Sequence, residues 1–175
     1  HSLPLFVDGA RLGYALHPEV SDVTLADLAA LSDVFYIGGT KCGALFGEAV
    51  VITRDACKPY FRATMKQHGG LLAKGRLLGI QFDTLFSDGL YQRICHDAIA
   101  HARRIRSAFE ARGIAFYGSS TTNQQFPILG QEQITLLKEN VAFEVWEERP
   151  DHTFLTRFAT SWATPDEHLE QLEAF

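Results

Sequence analysis

Short apolar runs alternate with helix-like spacing over the first third of the chain. Leu3 to Val7, Val34 to Ile37 and Ala49 to Thr53 are apolar runs of the length of a buried strand. Between the first two runs, Thr24 and Asp27 have the spacing of a capping box that opens a short helix. Strands that alternate with helices are typical of an α/β sheet with helices on its faces. The pattern therefore predicts a mainly parallel sheet.

The middle of the chain is predicted to be helical. A helical pattern after Asp55 breaks at Gly69-Gly70, resumes at Leu71 and ends near Asp88-Gly89. The longest helix follows, with one apolar stripe at steps of three and four residues, made of Leu90, Ile94, Ala98, Ala102, Ile105 and Phe109. Gly113 supplies a C-terminal stop for this helix.

The last third has the pattern of a small α+β domain. Four strands are predicted, at Ala115 to Tyr117, Gln125 to Leu129, Ala142 to Glu147 and Phe154 to Ala159. One helix is predicted from about Glu132 to Glu139, and another from Pro165 to Phe175. The composition thus shifts from a sheet-and-helix region to a region of short strands after Ile114.

Composition argues against several classes of partner. The 175 residues carry a formal net charge of −5, which provides no overall attraction to nucleic acid or to an anionic membrane. No apolar stretch approaches the roughly 20 residues that span a bilayer, so we expect a cytoplasmic protein. The three cysteines form no Cys-x-x-Cys pair, and the seven histidines form no His-x-His or His-Glu-x-x-His motif. We therefore predict no metal site.

Two ionisable residues stand where predicted strands end. Asp8 follows the first apolar run, and Lys41 lies in a glycine-rich turn directly after the second. Open α/β sheets bind ligands at the carboxyl ends of their strands. Apolar neighbours at such a position would favour the neutral, nucleophilic amine that forms a Schiff base. From the local pattern alone, an ordinary surface lysine is the alternative interpretation.

Three sequence blocks occur in a recognisable order over nearly the whole chain. They are Val7 to Leu12, Asp33 to Lys41 and Arg157 to Trp162. In this order they resemble the threonine aldolase and β-eliminating lyase family of the fold type I pyridoxal-phosphate enzymes. The resemblance implies that residues 1–88 are the C-terminal part of a large cofactor-binding α/β domain. Residues 89–113 would be a long linking helix, and residues 114–175 a small α+β domain.

The resemblance also implies roles for individual residues. Lys41 would hold pyridoxal phosphate as a Schiff base, and Asp8 would face the pyridine nitrogen and keep the ring protonated. Arg11 and Thr40 would lie beside the cofactor. Arg157, together with Arg11, would bind the substrate carboxylate, which suits a planar guanidinium. Because Arg157 lies in an apolar strand pattern, it needs an anionic partner, and a structural ion pair with a glutamate is the alternative.

The implied activity is cleavage of β-hydroxy-α-amino acids of the threonine or allo-threonine type to glycine and an aldehyde. The partners would be a small amino acid substrate and further copies of the chain, in a homodimer or homotetramer. Other pyridoxal-phosphate chemistry, either β-elimination or transamination, would use the same Lys41 and Asp8. An inactive fragment is a further alternative, because the phosphate-binding and ring-stacking residues are expected upstream of His1.

Overall fold

The computed structural model describes residues 3–174, and backbone contacts divide the chain into two compact units, up to Ile94 and from Cys95. The elements that begin in the first unit are β1 (Phe6–Val7), α1 (Leu12–Ala15), α2 (Leu25–Leu31), β2 (Val34–Gly38), β3 (Glu48–Ile52), α3 (Phe61–Gln67), α4 (Arg76–Phe86) and α5 (Leu90–Glu110). The second unit adds β4 (Gln124–Gln125), β5 (Ile128–Leu129), α6 (Gln131–Lys138), β6 (Glu144–Glu148), β7 (Phe154–Ala159) and α7 (Asp166–Ala174). The division between the units falls inside α5. The predicted boundaries at residues 88 and 113 stay a prediction.

The first unit is built on a three-stranded sheet in the order β1-β2-β3. The β1 strand pairs parallel to β2, and β2 pairs antiparallel to β3. Side chains alternate between the two faces of a strand. Phe35 and Ile37 of β2 are 2% and 5% exposed and mark the buried face. Phe6 and Val50 are 60% and 45% exposed and mark the other face, which we call the open face.

The α/β class predicted from the sequence is confirmed, with one difference in strand direction. The predicted sheet was mainly parallel, but β3 runs antiparallel to β2. The segment between β2 and β3 has nine residues, which is too short for the crossover that parallel strands need. The predicted capping box is present, since the Thr24 hydroxyl accepts from the Asp27 N–H at 3.2 Å and the Asp27 carboxylate accepts from the Thr24 N–H at 2.9 Å.

Gly9 lies against the backbone of β2. A Cβ atom at Gly9 would stand 1.7 Å from the carbonyl oxygen of Tyr36, a separation that no real contact allows. The Gly9 carbonyl also accepts from the N–H groups of Leu12 and Gly38, at 3.0 and 2.9 Å. The turn after β1 is therefore fixed to β2 through a position that has room only for hydrogen.

We expect Gly9→Ala to lower the free energy of unfolding by about 1–3 kcal/mol, the usual cost of overpacking, because the obstructing atom is backbone and cannot rotate away. Thermal unfolding of the full-length protein, followed by circular dichroism, measures the change. Gly79→Ala is the matched control. It lies inside α4 with no described atom within 4 Å of the added Cβ, so its midpoint should be equal or slightly higher. A Gly9→Ala protein as stable as the wild type would contradict the close contact.

The second unit packs helices against an antiparallel sheet in which β7 is central. The β7 strand pairs with β4, β5 and β6. Its Phe158 packs edge-on against Phe109 of α5, with ring centroids 5.1 Å apart. The buried core cluster comprises Ile105, Phe109, Leu129, Ile134, Leu137, Phe158, Leu169 and Leu172. The small α+β pattern predicted for this part of the chain is thus observed.

Two strand predictions in the second unit need correction. Ala115 to Tyr117 is not a strand, because only an isolated bridge joins Phe116 to Pro127. The segment lies between Gly113 and Gly118, whose positive φ values of 71° and 69° turn the chain at both ends. The strand predicted from Gln125 to Leu129 is two short strands, since Pro127 between them has no N–H for a ladder.

Charged side chains fasten α7 to α5 within the second unit. The Arg104 guanidinium donates to both carboxylate oxygens of Glu173, at 2.8 and 2.9 Å, and to Asp166 at 2.8 Å. This fork geometry is the stronger form of a surface ion pair. Within residues 3–174, no helix is both long and apolar enough to cross a membrane.

Candidate active site

Asp8 and Tyr36 meet on the open face of the first sheet. The parallel register pairs Phe6 with Val34 and Val7 with Phe35, so the next residue after β1 lies beside Tyr36. The Tyr36 hydroxyl donates a hydrogen bond to Oδ1 of Asp8. The N–H of Ala10 donates to the same oxygen, at 3.0 Å. Two donors thus fix one oxygen of the carboxylate.

The surroundings of Asp8 keep it ionised. The Tyr36 hydroxyl has the largest effect and holds the pKa of Asp8 below its ordinary value, with further contributions from the Ala10 N–H and from the positive charges of Lys41 and Arg11. Burial acts in the opposite direction and raises the pKa of Asp8, with an effect larger than that of either positive charge. Asp8 therefore stays a carboxylate at neutral pH and remains one at lower pH than an ordinary aspartate does.

Lys41 lies in the turn that connects β2 to β3, and hydrogen bonds hold the backbone of this turn in place. The hydroxyl of Tyr14, which is fully buried, donates to the carbonyl oxygen of Lys41. The hydroxyl of Tyr91 donates to the carbonyl of Gly38 at 2.9 Å. The N–H of Cys42 closes the turn onto the Gly39 carbonyl, also at 2.9 Å. The backbone that carries Lys41 is thus held at several points.

The side chain of Lys41 is exposed. The apolar walls expected around its amine are therefore not supplied by residues 3–174. Its charge nevertheless contributes to the lowered pKa of Asp8 and partly offsets the rise in the pKa of Glu48. The structure thus places Lys41 in the same charge environment as Asp8, although 33 positions separate them in the sequence.

Glu48 is a third ionisable group of this cluster. It is the first residue of β3 and pairs with Gly38, so it lies on the same face as Tyr36. Burial is the main cause that raises the pKa of Glu48, and the negative charge of Asp8 adds to the effect. The Gly39 N–H and the positive charge of Lys41 partly offset it. The cluster therefore contains two carboxylates in different environments, which is common at catalytic sites.

Arg11 and Thr40 flank the cluster. Arg11 is half-buried at the start of α1, and its charge contributes to the low pKa of Asp8. Thr40 is exposed and directly precedes Lys41. Both residues therefore lie in the turns that follow β1 and β2, next to Asp8 and Lys41 in the chain.

Arg157 belongs to the second unit and has a glutamate partner there. Its Nη2 lies 2.5 Å from Oε1 of Glu144, and its Nη1 donates to Oε1 of Gln124 at 3.2 Å. The guanidinium carbon also lies 5.2 Å from the centre of the Trp146 ring. The anionic partner expected from the apolar strand pattern is thus present, in the form of the structural ion pair that was the alternative interpretation. A role in binding a substrate carboxylate stays a prediction.

Neither the cavity in the second unit nor any side-chain cluster elsewhere in the described structure adds a second candidate site. A cavity of about 380 Å³ in the second unit is lined by Ile105, Phe158, Thr160 and His168 among others, and none of the predicted site residues lines it. No group of three or more His, Cys, Asp or Glu side chains between residues 3 and 174 could hold a metal ion.

Sequence reasoning missed the residues that support the site, namely Tyr14, Tyr36, Glu48 and Tyr91. One signal was available for Tyr36. Asp8 and Tyr36 are 28 residues apart, the same offset as the paired residues Phe6 and Val34. This offset predicts a contact between Asp8 and Tyr36 only if the register between β1 and β2 is known. A sequence pattern does not supply that register.

Comparison with known proteins identifies the relatives of this chain. No protein-family model matches it. It is 29% identical to the low specificity L-threonine aldolase of Pseudomonas sp. (strain NCIMB 10558), over 98% of this chain and 49% of that protein. The structure of threonine aldolase from Leishmania major superposes with a TM-score of 0.96 and 44% identity, over 99% of this chain and 51% of that one.

A more distant structure shows the fold alone. Serine palmitoyltransferase from Sphingomonas wittichii superposes with a TM-score of 0.65 at 16% identity, over 99% of this chain and 46% of that one. The chain thus spans about half the length of the proteins that it matches. The ordered blocks, the α/β structure and these matches show that the chain has the fold of the fold type I pyridoxal-phosphate enzymes and is similar to about half of a threonine aldolase.

Proposed function

We propose that the full protein is a pyridoxal-phosphate-dependent aldehyde-lyase that cleaves β-hydroxy-α-amino acids of the threonine or allo-threonine type to glycine and an aldehyde. One observation carries the proposal. The turns after β1 and β2 bring an ionised, doubly hydrogen-bonded Asp8 and an exposed Lys41 into one charge environment. They do so in a chain that is 44% identical in sequence to the Leishmania major threonine aldolase.

The residues of this cluster suit the cofactor. Pyridoxal phosphate needs an amine for a covalent bond and an anion opposite its ring nitrogen. Lys41 offers an exposed amine on an anchored backbone. Asp8 offers a carboxylate whose Oδ1 is held by two donors, while its Oδ2 accepts no hydrogen bond from the part of the chain described here. Arg11 and Thr40 would lie beside the ring.

When bound, pyridoxal phosphate supplies the electron sink that accepts the electrons of the broken bond between Cα and Cβ. Asp8 would keep the ring nitrogen protonated, because a fixed negative charge stabilises the cationic form of the ring. Lys41 would hold the cofactor covalently through its ε-amine, and that amine, once free, would be placed to pass a proton to Cα.

We assign Arg157 to the substrate carboxylate, together with Arg11. The support is its planar donor fork, which binds the Glu144 carboxylate within the second unit. A substrate carboxylate would compete for the same fork. A cytoplasmic setting and a homodimer or homotetramer are further parts of the proposal, and sedimentation of the full-length protein tests the second of these.

The activity is tested with the full-length protein, pyridoxal phosphate and each threonine stereoisomer. We expect glycine and acetaldehyde in equal amounts, measured by chromatography of the amino acid and by reduction of the aldehyde with a coupled dehydrogenase. β-Elimination would instead release ammonia and an α-keto acid, and transamination would convert the cofactor to its amine form. Either of these product sets, without glycine, would contradict the proposed aldehyde-lyase activity while leaving the cofactor assignment in place.

A further inference from the structure

We propose that Tyr36 is a positioning residue for the Asp8 carboxylate: its hydroxyl holds Oδ1 so that Oδ2 is presented to the ring nitrogen of the cofactor. This inference rests on the proposed function. Oδ1 of Asp8 accepts from both the Tyr36 hydroxyl and the Ala10 N–H. Within residues 3–174, Oδ2 accepts no hydrogen bond, so the arrangement leaves one oxygen for a further donor.

The position of the Tyr36 hydroxyl is set by the sheet. Tyr36 is the middle residue of β2, which pairs with a strand on each side. Its ring lies against Phe6, with centroids 6.1 Å apart. Its carbonyl lies against Gly9, where no side chain fits. A phenol on such a backbone loses little further freedom when it donates to a carboxylate, and bonds to charged acceptors are the stronger ones.

The charges around the pair favour the bonded state. Asp8 is the main cause that raises the pKa of Tyr36 to about 12, and the negative charge of Glu48 from β3 adds to it. Tyr36 in turn is the main cause that lowers the pKa of Asp8, to which Lys41 and Arg11 also contribute. Over the whole physiological range the pair therefore consists of a neutral phenol and an ionised carboxylate.

A purely structural Tyr36 would act through its ring. Its contact with Phe6 and its place in β2 do not need the hydroxyl. Tyr36→Phe keeps the ring and removes only the donor, so it separates the two roles. Tyr60→Phe is the matched control, because Tyr60 lies in the same unit and is 85% exposed.

The first measurement is the dissociation constant of pyridoxal phosphate for the full-length apoprotein, by absorbance, over a range of pH. We expect Tyr36→Phe to weaken binding about tenfold, the low end of the range for loss of a hydrogen bond to a charged group. Without the phenol the pKa of Asp8 rises, so the loss of affinity on acidification should begin at higher pH than in the wild type. Tyr60→Phe should match the wild type in both respects.

The second measurement needs no cofactor. Ultraviolet titration of the apoprotein, taken as the difference between wild type and Tyr36→Phe, reports the ionisation of Tyr36 alone. We expect a midpoint near 12 and, in Asp8→Asn, a shift toward the ordinary value of about 10. If Tyr36→Phe does not fold, comparison of Asp8→Asn with the wild type supplies the same shift.

The outcomes separate this inference from the proposed function. Should the wild type bind the cofactor while Tyr36→Phe binds it equally well with the same pH profile, the positioning role is wrong and the proposed function stands. Should the wild type bind no cofactor, the proposed function fails. A titration midpoint of Tyr36 near 10 in the wild type would overturn the inference in either case.

Discussion

Replacement of Lys41 by alanine is expected to abolish covalent attachment of pyridoxal phosphate to the full-length protein. Borohydride reduces the double bond between the lysine nitrogen and the cofactor to a stable single bond. Mass spectrometry of the digested wild type should therefore find the pyridoxyl group on the peptide that contains Lys41. In Lys41→Ala no peptide should carry it, and cleavage of threonine should slow by more than about a hundredfold, because in the proposed mechanism the same amine would also transfer a proton.

Two variants make the result specific to the amine of Lys41. Lys41→Arg keeps a positive charge close to Asp8 but cannot form the double bond, so it should fail in the same way as Lys41→Ala. Lys138→Ala removes an exposed lysine at the end of α6 and should leave both readouts at the wild-type level. A pyridoxyl label on any other lysine of the wild type would remove the basis of the proposed function.

Replacement of Asp8 by asparagine is expected to weaken cofactor binding by about ten- to a hundredfold, the range for loss of a hydrogen bond to a charged group. Asparagine has nearly the same shape, so the effect comes from the lost charge. Without the charge the ring nitrogen is less protonated, and threonine cleavage should slow in addition to the change in affinity. Absorbance titration measures binding, and rates at saturating cofactor measure the second effect.

The pH dependence of the wild type follows from the direction of the Asp8 shift. Its pKa is lowered in the folded protein. The contribution of the Asp8 carboxylate to cofactor binding is therefore fully present above the ordinary aspartate pKa, and it is lost only as the pH falls through the lowered value. Binding by Asp8→Asn should not show this acid limb. Asp55→Asn is the control, because Asp55 is an exposed partner of Lys58 on the surface. Equal cofactor affinity of Asp8→Asn and the wild type would exclude Asp8 from the site.

Local sequence patterns predicted helices and strands well where the residues that determine them lie close together in the chain. The capping box at Thr24 and Asp27, the strand from Phe154 to Ala159 and the helix after Gly130 all depend on near neighbours in the chain. The strand predicted at Ala115 to Tyr117 failed because strand formation needs a partner over several residues, and only Pro127 is bridged there. Apolar spacing by itself does not identify that partner.

Arg157 shows the same limit at the level of a single side chain. The sequence indicated that an arginine among apolar strand residues needs an anion. The structure supplies Glu144, which faces Arg157 across the pairing of β6 with β7. Whether the anion belongs to the protein or to a ligand depends on cross-strand register, and the register is a property of the folded sheet.

The amino-acid sequence alone determined the α/β class, the helix start at Thr24 and the placement of Asp8 and Lys41 at the ends of strands. These follow from apolar periodicity, capping and glycine-rich turns, which act over short distances along the chain. Only the tertiary structure decided that β3 is antiparallel, that Tyr36 bonds to Asp8 and that Tyr14 anchors the Lys41 backbone. Each of these joins groups that are distant in sequence or depends on strand pairing, so it is set by packing and register rather than by a local pattern.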